Sequence, residues 1–445
     1  MVGKMLDWQE ELGRWLKPFL DRLGHKARRR MCPFYVSGLI GPGDRKSIQP
    51  MARRLALGES DQLHHFIAAG VWDAAPVEAE LLVQADKLVG GRDAVLVIDD
   101  TAIPKKGVHS VGVAAQYASA LGKTANCQTL VSLTLARGEV PVMLALRLFL
   151  PESWTSNRAR LQRAGVPAEY RMSRTKPEVA LAELDRVIAS GVRFGCILAD
   201  AGYGMSAPFR QGLSARKLAW AVGVPRHLKV YPADVRMIWP VAKRGRPRKR
   251  HIPNVLSKPA EDMLAAARWQ TISWRTGTKG KLKARFAAVR VRVADGPPQR
   301  IRDKGQQHLP GEEAWLIGEY RMSGEKKYYL ANLPAKTDLR TLAATIKARW
   351  VCEQAHQQLK EELGLDHFEG RSWQGLHRHT LMTMIAYAFL QYRRLAAARR
   401  KKKNQRPSTS ANATSRTPRN PRTHRATATA ALPTLSKMDL QRVAA

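Results

Sequence analysis

The hydrophobic positions of the first 85 residues recur at the spacing of amphipathic helices. Segment 6–30 places apolar residues three and four positions apart and ends in a basic cluster, and segments 45–57 and 60–70 continue the same pattern. Glycines between these segments mark the expected turns. The pattern therefore predicts a helical N-terminal domain over residues 1–85.

The pattern changes over residues 86–217, where continuous apolar runs replace the helical spacing. Residues 94–98 read AVLVI and lead directly into Asp99 and Asp100, as expected of a central strand buried on both faces. Strands are also predicted at 127–136, 140–150 and 194–199, the last ending at Asp200, and an amphipathic helix is predicted at 176–190. Strands followed by helices indicate an α/β core.

Residues 218–335 are β-rich, and residues 336–398 return to helical spacing. Several strands of the β-rich segment alternate apolar with basic positions, which predicts an insertion with one positive face. The helical part begins with one long helix predicted over 338–363. Residues 399–445 are rich in Ser, Thr, Pro and Arg, which predicts a basic disordered tail. The predicted fold class is thus α/β, a mixed sheet interrupted by a β-rich insertion domain and preceded by a helical N-terminal domain.

The charge of the chain narrows what this fold is expected to bind. The 445 residues contain 75 Lys and Arg against 37 Asp and Glu, a net charge of +38, and 44% of the residues are hydrophobic. A chain of this hydrophobic content buries a core, so the charge predicts a folded protein with a polyanionic partner, most often nucleic acid. The helical N-terminal domain is then a candidate DNA-binding head, with a plain helical bundle as the alternative.

Membrane proteins and disulfide-rich proteins are disfavoured by other features. The apolar run at 381–390 is short of the roughly 18 residues that a membrane span needs, so a buried helix is predicted there. Cys32, Cys127, Cys196 and Cys352 form no closely spaced pair, which argues against a zinc finger and a disulfide framework. These features predict a reduced cytoplasmic protein, without a membrane partner or a small-molecule substrate.

Three acids are candidates for metal-dependent chemistry. Asp100 and Asp200 follow predicted strands, and Glu353 lies in the predicted helix 338–363. Mg²⁺ prefers carboxylate oxygens, and two such ions about 4 Å apart can promote phosphodiester cleavage. Each acid also has a plain structural interpretation: a turn residue, a strand-to-loop exit, or a helical ion pair between Glu353 and Arg349.

Four segments give the chain a family resemblance that extends over about residues 20–395. It resembles the bacterial insertion-sequence transposases of the DDE class, in the insertion-sequence 701 family, a cut-and-paste group with a β-strand insertion. The segments are YVSGLIGPGDRKSIQPMA at 35–52, VLVIDDTAIPKKG at 95–107, ILADAGYG at 197–204 and RWVCEQAHQQLKEELGLDHFEGRSW at 349–373.

The resemblance implies both a fold and an organisation of the chain. The fold is a ribonuclease H-like mixed sheet interrupted by the β-rich insertion. The expected parts are a helical DNA-binding domain at 1–85, the first part of the catalytic core at 86–217, the insertion at 218–335, the core helices at 336–398 and the tail at 399–445.

The resemblance also implies a set of site residues. Asp100, which directly precedes a Thr, and Asp200 fall on the first two catalytic positions, and Glu353 falls on the third. These three would bind Mg²⁺, as two ions, with Mn²⁺ as a substitute. The wider group has a helix motif Tyr-x₂-Arg-x₃-Glu-x₆-Lys, which Arg349, Glu353 and Lys360 match, with phosphate contacts implied for Arg349 and Lys360. The Tyr position holds Ile346, a departure from the motif.

The implied function is a DNA transposase that cuts at the ends of its element and transfers the strand into target DNA. Double-stranded DNA is the expected partner, with two copies of the chain in a synaptic homodimer. A metal-dependent nuclease of the same fold and a non-catalytic DNA-binding protein derived from a transposase stay open as alternatives.

Two weaker signals concern DNA contacts outside the three acids. Arg244 and Arg246 lie in the sequence RGRP, whose form suits a narrow A·T minor groove, although phosphate contact and chance are alternatives. Trp350, Trp373 and His377 flank the predicted catalytic helix, where an aromatic ring could stack on a flipped base or pack in the core.

Overall fold

The computed structural model describes residues 8–55, 60–118, 121–239, 250–277, 280–300 and 305–404. Arg244 and Arg246 and the predicted tail beyond residue 404 lie outside these ranges. The N-terminal part is helical, as its spacing predicted. Its elements are α1 (Trp8–Asp21), α2 (Lys26–Ile40), α3 (Ile48–Arg54), α4 (Asp61–His64), a π-helical segment (His65–Ala69) and α5 (Ala75–Val89).

The next part of the chain forms six strands with helices between them. The strands are β1 (Val95–Pro104), β2 (Ala114–Ala118), β3 (Lys123–Arg137), β4 (Val140–Phe149), β5 (Cys196–Ala199) and β6 (Trp220–Val224). The helices are α6 (Glu152–Thr155), α7 (Arg158–Arg163), a 3-10 turn (Ala168–Tyr170), α8 (Lys176–Ala189), α9 (Ala201–Gly204) and α10 (Ala207–Ala215). The predicted strands at 127–136, 140–150 and 194–199 and the predicted helix at 176–190 are confirmed.

Local chemistry explains where several of these elements start and turn. Thr175 caps α8 through a reciprocal capping box with Glu178, in which each side chain accepts a hydrogen bond from the other residue's backbone N–H. Gly138 has φ +58° in the tight turn between β3 and β4, a conformation that favours glycine.

The β-rich part of the chain contributes short and long strands. They are β7 (Lys229–Pro232), β8 (Met237–Ile238), β9 (Ile252–Pro253), β10 (Lys258–Pro259), β11 (Gln270–Gly277), β12 (Gly280–Val293), β13 (Pro298–Arg300), β14 (Gln306–His308), β15 (Glu313–Tyr320) and β16 (Lys326–Ala331), with one helical turn, α11 (Ala260–Met263). Three helices and a 3-10 turn follow: α12 (Leu339–Lys347), α13 (Trp350–Glu361), the turn Leu365–His367, and α14 (Trp373–Asn404).

The strands assemble mainly into one mixed sheet of twelve strands. Its order is β10-β7-β12-β15-β16-β6-β5-β1-β3-β2, with β11 paired to β12 and β4 paired to β3. Strand β5 runs parallel to both β1 and β6, and the other pairs are antiparallel. The long strands of the β-rich part therefore continue the sheet that carries β1 and β5.

The helix predicted over 338–363 is two helices. Helix α12 ends at Lys347 and α13 begins at Trp350, so Ala348 and Arg349 form a turn between them. The prediction of one continuous helix was wrong because apolar spacing continues through this turn and carries no signal for the break. The consequence is that Arg349 stands at the N-terminal boundary of α13.

Helix α14 runs through the largest hydrophobic core. Its residues 381–390 are all buried, which confirms a buried helix for this apolar run, and none of the described helices is long and apolar enough to cross a membrane. The same core includes side chains from α1, α2 and α5. The N-terminal helices therefore share a core with α14.

Candidate active site

Aspartates cluster where the parallel pairing of β1 and β5 ends. The last paired residues are Ile98 and Ala199, so Asp99 and Asp200 are the next residues on neighbouring strands. Strand β1 then continues past Asp100 to Pro104, because these residues pair with β3. Asp100 thus lies inside β1 and not at its end, where the sequence had placed it.

Asp99 and Asp100 belong to opposite faces of the sheet, because successive side chains of a strand alternate. The core clusters show the same alternation: Val97 packs with Cys352 of α13, whereas Ile98 belongs to the larger core. Asp99 therefore faces α13, and Asp100 faces the side on which α8 begins.

The Asp99 carboxylate is buried, and both of its oxygens accept hydrogen bonds. One oxygen accepts the backbone N–H of Asp100 at 2.8 Å, and the other accepts the guanidinium of Arg349. The Asp99 carbonyl accepts hydrogen bonds from the hydroxyls of Ser132 at 3.2 Å and Tyr203 at 3.3 Å. Asp99 thus connects β1 to β3, α9 and the start of α13.

Burial and the neighbouring charges together set the pKa of this carboxylate. Burial raises the pKa of Asp99 to about 7, while the Arg349 guanidinium lowers it and the nearby Asp200 carboxylate raises it. For Arg349, burial lowers the guanidinium pKa, but the carboxylates of Asp99, Glu353 and Asp200 outweigh it and the net shift is upward. Arg349 is therefore the cation shared by these acids.

Asp100 has a different partner. Its Oδ2 lies 2.7 Å from the Nζ of Lys176, the first residue of α8. The two side chains are 21% and 28% exposed, so this ion pair is open to solvent on one side, unlike the buried Asp99.

Asp200 is positioned by the start of α9. It is the N-cap residue of that helix, and its Oδ1 accepts the backbone N–H of Tyr203 at 3.2 Å. The Tyr203 hydroxyl is buried, which raises its pKa well above the usual value, and the negative charges of Asp100, Asp99 and Asp200 raise it further. Tyr203 therefore lies close enough to all three aspartates for their charges to affect its pKa.

Glu353 completes the group from the side of α13. Its Oε1 accepts the guanidinium of Arg349, one helical turn earlier, and its side chain is 60% exposed. Burial lowers the pKa of Lys360, further along the same helix, and the charges of Asp366 and Asp100 partly offset this effect. Arg349 thus bridges Asp99 and Glu353, while Lys360 lies near Asp100.

Beneath Asp99 lies a polar contact between α13 and β3. One potential ligand atom from each of Asp99, Cys352 and His356 lies within 4.8 Å of the other two. Among the described residues, these are the three metal-ligand side chains that come this close together. His356 Nε2 lies 2.8 Å from Ser132 Oγ, and burial raises the pKa of the Cys352 thiol. A protonated thiol is a poor ligand for Mg²⁺, so this cluster reads as a hydrogen-bonded support beneath the site.

The structure brings Asp200, Arg349 and Glu353 to one edge of the sheet, with Asp100 on the opposite face of β1 beside Lys176. The sequence did not predict that Arg349 pairs with Asp99, or that Asp100 pairs with Lys176. Strand alternation could have separated Asp99 from Asp100, because two successive residues of a strand cannot share a face. No sequence signal linked Lys176 to Asp100.

The aromatic residues near α13 pack within the protein. The Trp350 ring lies 3.8 Å from the guanidinium carbon of Arg275, and Trp373 packs against His377 and Tyr170 with centroid distances of 4.1 and 5.0 Å. Trp373 and His377 are buried. These contacts favour a packing role for the rings.

Comparisons with known proteins address the family of the chain. Residues 18–281, more than half of the chain, match the family model of the DDE superfamily endonucleases. A probable transposase for insertion sequence element IS701 from Microchaete diplosiphon is 31% identical over 169 residues. That alignment covers 38% of this chain and 41% of the relative, so the chain matches less than half of the length of this protein.

A solved structure also aligns with the chain. It is a cryo-EM structure of the piggyBac transposase synaptic complex with hairpin DNA, which shows 10% sequence identity and a TM-score of 0.35. The alignment covers 92% of this chain and 85% of that one.

The family match and the architecture agree in fold class. The mixed α/β arrangement, with one large mixed sheet and many helices, is consistent with a ribonuclease H-like fold. The matched residues include Asp100 and Asp200 and end before α13, which carries Glu353. On the strength of residues 18–281, this chain belongs to the DDE superfamily endonuclease family.

Proposed function

We propose that this protein is a DNA transposase that cleaves DNA at the ends of its insertion sequence and transfers the freed strand into target DNA. The observation that carries the proposal is the gathering of three carboxylates, those of Asp99, Asp200 and Glu353, around Arg349 at the end of the β1–β5 pairing. Membership of an endonuclease family supports the hydrolytic step.

The acids suit divalent cations, which DDE superfamily enzymes generally use. Asp100, Asp200 and Glu353 supply carboxylate oxygens, the ligand type that Mg²⁺ and Mn²⁺ prefer. Asp200 and Glu353 share Arg349 with the buried Asp99, whereas Asp100 lies on the opposite face of β1. We therefore propose Asp200 and Glu353 as metal ligands, with the third position at the doublet: the family pattern favours Asp100, and the shared face favours Asp99.

Bound divalent ions would supply a polarised attacking oxygen and a neutralised leaving oxygen for phosphodiester cleavage and for strand transfer. The residues of the chain do the positioning. Tyr203 fixes one oxygen of Asp200 through its backbone N–H. Arg349, held by Asp99, orients the exposed carboxylate of Glu353 across one turn of α13.

The remaining cations near the site fit contacts with a DNA backbone. Lys360 lies near Asp100, and its partly buried ammonium is a candidate phosphate contact. Arg349 donates to two carboxylates, so its phosphate contact would add to this network. On β12, the exposed side chains Lys281, Lys283 and Arg285 alternate along one face, as the predicted positive face of this region requires.

We assign the N-terminal helices to DNA binding and the strands β7 to β16 to an insertion within a ribonuclease H-like core. In this arrangement the insertion extends the core sheet, and its basic face lies opposite Ala284 and Phe286, which pack with residues of α12 and α13. Two copies of the chain would hold the two ends of the element together.

A strand-joining assay tests this function against a simple nuclease of the same fold. Purified protein is incubated with Mg²⁺, a supercoiled target plasmid and a labelled duplex whose end carries the pre-cut 3′-OH of the element. A parallel reaction contains a labelled duplex in which the element end is uncut. The proposal predicts labelled plasmid that forms only with Mg²⁺. Cleavage of uncut ends without any joined product would assign the chain to the nucleases instead.

A further inference from the structure

Strands β8 and β9 form a two-stranded ribbon that is separate from the twelve-stranded sheet. The pairing of Ile238 with Ile252 continues to Trp239 and His251, whose ring centroids lie 4.2 Å apart at an interplanar angle of 42°. The side-chain amide of Gln299, on β13, donates a hydrogen bond to the carbonyl of His251 at 2.8 Å. The Trp239 ring is therefore held against a partner that is itself tied to a neighbouring strand.

The first strand of this ribbon exposes apolar side chains on both of its faces. Successive side chains of a strand point to opposite faces, so burial of one face leaves only every second residue exposed. Met237, Ile238 and Trp239 are nevertheless all exposed, at 38%, 40% and 57%. Adjacent exposed apolar side chains within polar surroundings mark a contact surface for another molecule.

The charge of this part of the chain indicates which molecule fits. Residues 235–260 contain eight Lys and Arg and no acid. Arg236 and Arg250 are exposed on the ribbon, and five of the other cations belong to the sequence 240–249, which lies outside the described residues. A polyanion is attracted to such a segment, whereas a second copy of this chain, with its net charge of +38, is repelled.

The apolar and the basic side chains together form what we call the ribbon surface. Its members are the described exposed residues of the ribbon that carry a charge or a large apolar or aromatic group: Arg236, Met237, Ile238, Trp239, Arg250 and His251.

We propose that the ribbon surface is a DNA contact in which the cations bind phosphates and the Trp239 ring, with its apolar neighbours, binds the bases. The proposal rests on the proposed function, because it requires the chain to bind double-stranded DNA. A two-stranded β-ribbon fits a groove of duplex DNA, and apolar side chains that enter a groove unstack a base step. An aromatic ring can stack on any base, because every base has a π-face. His251 supports the Trp239 ring for this contact.

Fluorescence anisotropy of a labelled duplex that carries the element end, measured with the full-length protein over a series of salt concentrations, separates the two kinds of contact. The slope of log Kd against log salt concentration reports the number of phosphate contacts, whereas a base contact changes the affinity equally at every salt concentration. Trp239→Ala and Ile238→Ala remove apolar surface, Trp239→Phe keeps an aromatic ring, and Arg236→Gln removes a cation. Ile188→Ala is the matched control for Ile238→Ala, because Ile188 is 39% exposed near the end of α8.

Trp239→Ala is expected to bind the duplex about tenfold more weakly than the wild type at every salt concentration, with an unchanged salt slope. Ile238→Ala should weaken binding in the same way by a smaller factor, and Trp239→Phe should keep most of the wild-type affinity. Arg236→Gln should lower the salt slope by about 1. Ile188→Ala should equal the wild type in both affinity and slope.

Wild-type affinity in a folded Trp239→Ala overturns the inference. A reduced salt slope in Trp239→Ala also overturns it, because lost phosphate contacts would then explain the weaker binding. The same holds if Trp239→Ala changes self-association in analytical ultracentrifugation without DNA and leaves DNA affinity unchanged, since the ribbon surface would then join copies of the chain. A wild type that binds no duplex at any salt concentration contradicts the proposed function itself, whereas the other results concern the ribbon surface alone.

Discussion

Asp99 and Asp100 are joined by a hydrogen bond from the backbone N–H of Asp100 to the carboxylate of Asp99, at 2.8 Å, and yet their side chains bind different cations. Asp99 holds Arg349 in the interior, and Asp100 meets Lys176 at the surface. The doublet thus combines a buried group that positions the start of α13 with a partly exposed group on the opposite face of β1. This division of roles leads to different expectations for the two residues.

The paired variants Asp99→Asn and Asp100→Asn should separate stability from catalysis. Asp99→Asn leaves the Arg349 guanidinium without its buried charged partner, so we expect a loss of about 2 kcal/mol in the free energy of unfolding. Asp100→Asn should change the free energy of unfolding by less than about 1 kcal/mol, because its ion pair is partly exposed. Urea denaturation of both variants measures these differences.

The same two variants decide which aspartate of the doublet is the third metal ligand. On the family pattern, Asp100→Asn is expected to abolish cleavage while DNA binding persists, and Asp99→Asn should keep a reduced rate. Retained cleavage in Asp100→Asn would remove this residue from the metal ligands. A fully inactive but stable Asp99→Asn that has lost Mn²⁺ binding would show that Asp99 is itself a ligand.

The buried histidines predict a loss of stability in mild acid. Burial lowers the pKa of His356 to about 3 and those of His377 and His379 to about 4, below the value of about 6.5 for an unfolded histidine. The unfolded chain therefore binds more protons than the folded chain between these values, and the free energy of unfolding falls as the pH drops from about 6.5 to about 4.

One variant isolates the share of His356 in this pH dependence. His356→Phe cannot be protonated, so its free energy of unfolding should fall less steeply between pH 6.5 and 4 than that of the wild type. His109→Phe, at an exposed position, is the control and should keep the wild-type slope. Equal slopes in all three proteins would mean that His356 is accessible to protons in the folded state.

Arg378 should stabilise the contact between α14 and the N-terminal part of the chain. Its buried guanidinium donates to the carbonyls of Gly70 at 2.5 Å and Trp72 at 2.6 Å, and lies 4.4 Å from the Trp72 ring centroid. Arg378→Met leaves these buried carbonyls unpaired, so we expect a loss of about 3 kcal/mol. Arg371→Met, a change of the same type at an exposed position just before α14, should cost little. Thermal and urea unfolding measure both, and equal stabilities would contradict the assigned role of Arg378.

Much of the secondary structure follows from the sequence, because the relevant patterns are local. The apolar runs at 94–98 and 194–199 became the parallel strands β1 and β5, and the helical spacing at 176–190 became α8. The break at Arg349 between α12 and α13 escaped prediction, because it has no glycine or proline to mark it. The continuation of the core sheet by strands of the β-rich part depends on pairing between distant segments, which local patterns do not encode.

The candidate site shows the same limit at the level of single contacts. Carboxylates at the ends of apolar runs identified Asp200 and the Asp99–Asp100 doublet from sequence. The contact between Asp100 and Lys176, 76 positions apart, and that between Asp99 and Arg349, 250 positions apart, exist only after the sheet and α13 have assembled. The tertiary structure therefore determines which cation pairs with Asp99 and which pairs with Asp100.

The central claim is tested most directly by an assay that compares the wild type with Glu353→Gln. The assay measures cleavage of labelled DNA that carries the flanking ends of the element, with Mg²⁺ or with EDTA. Glu361→Gln is the control on the exposed side of the same helix. We predict Mg²⁺-dependent cutting at the ends by the wild type and by Glu361→Gln, and a loss of at least about 100-fold in Glu353→Gln with DNA binding retained. Wild-type cutting by a folded Glu353→Gln, or binding without cutting by the wild type under any divalent metal, would contradict the account.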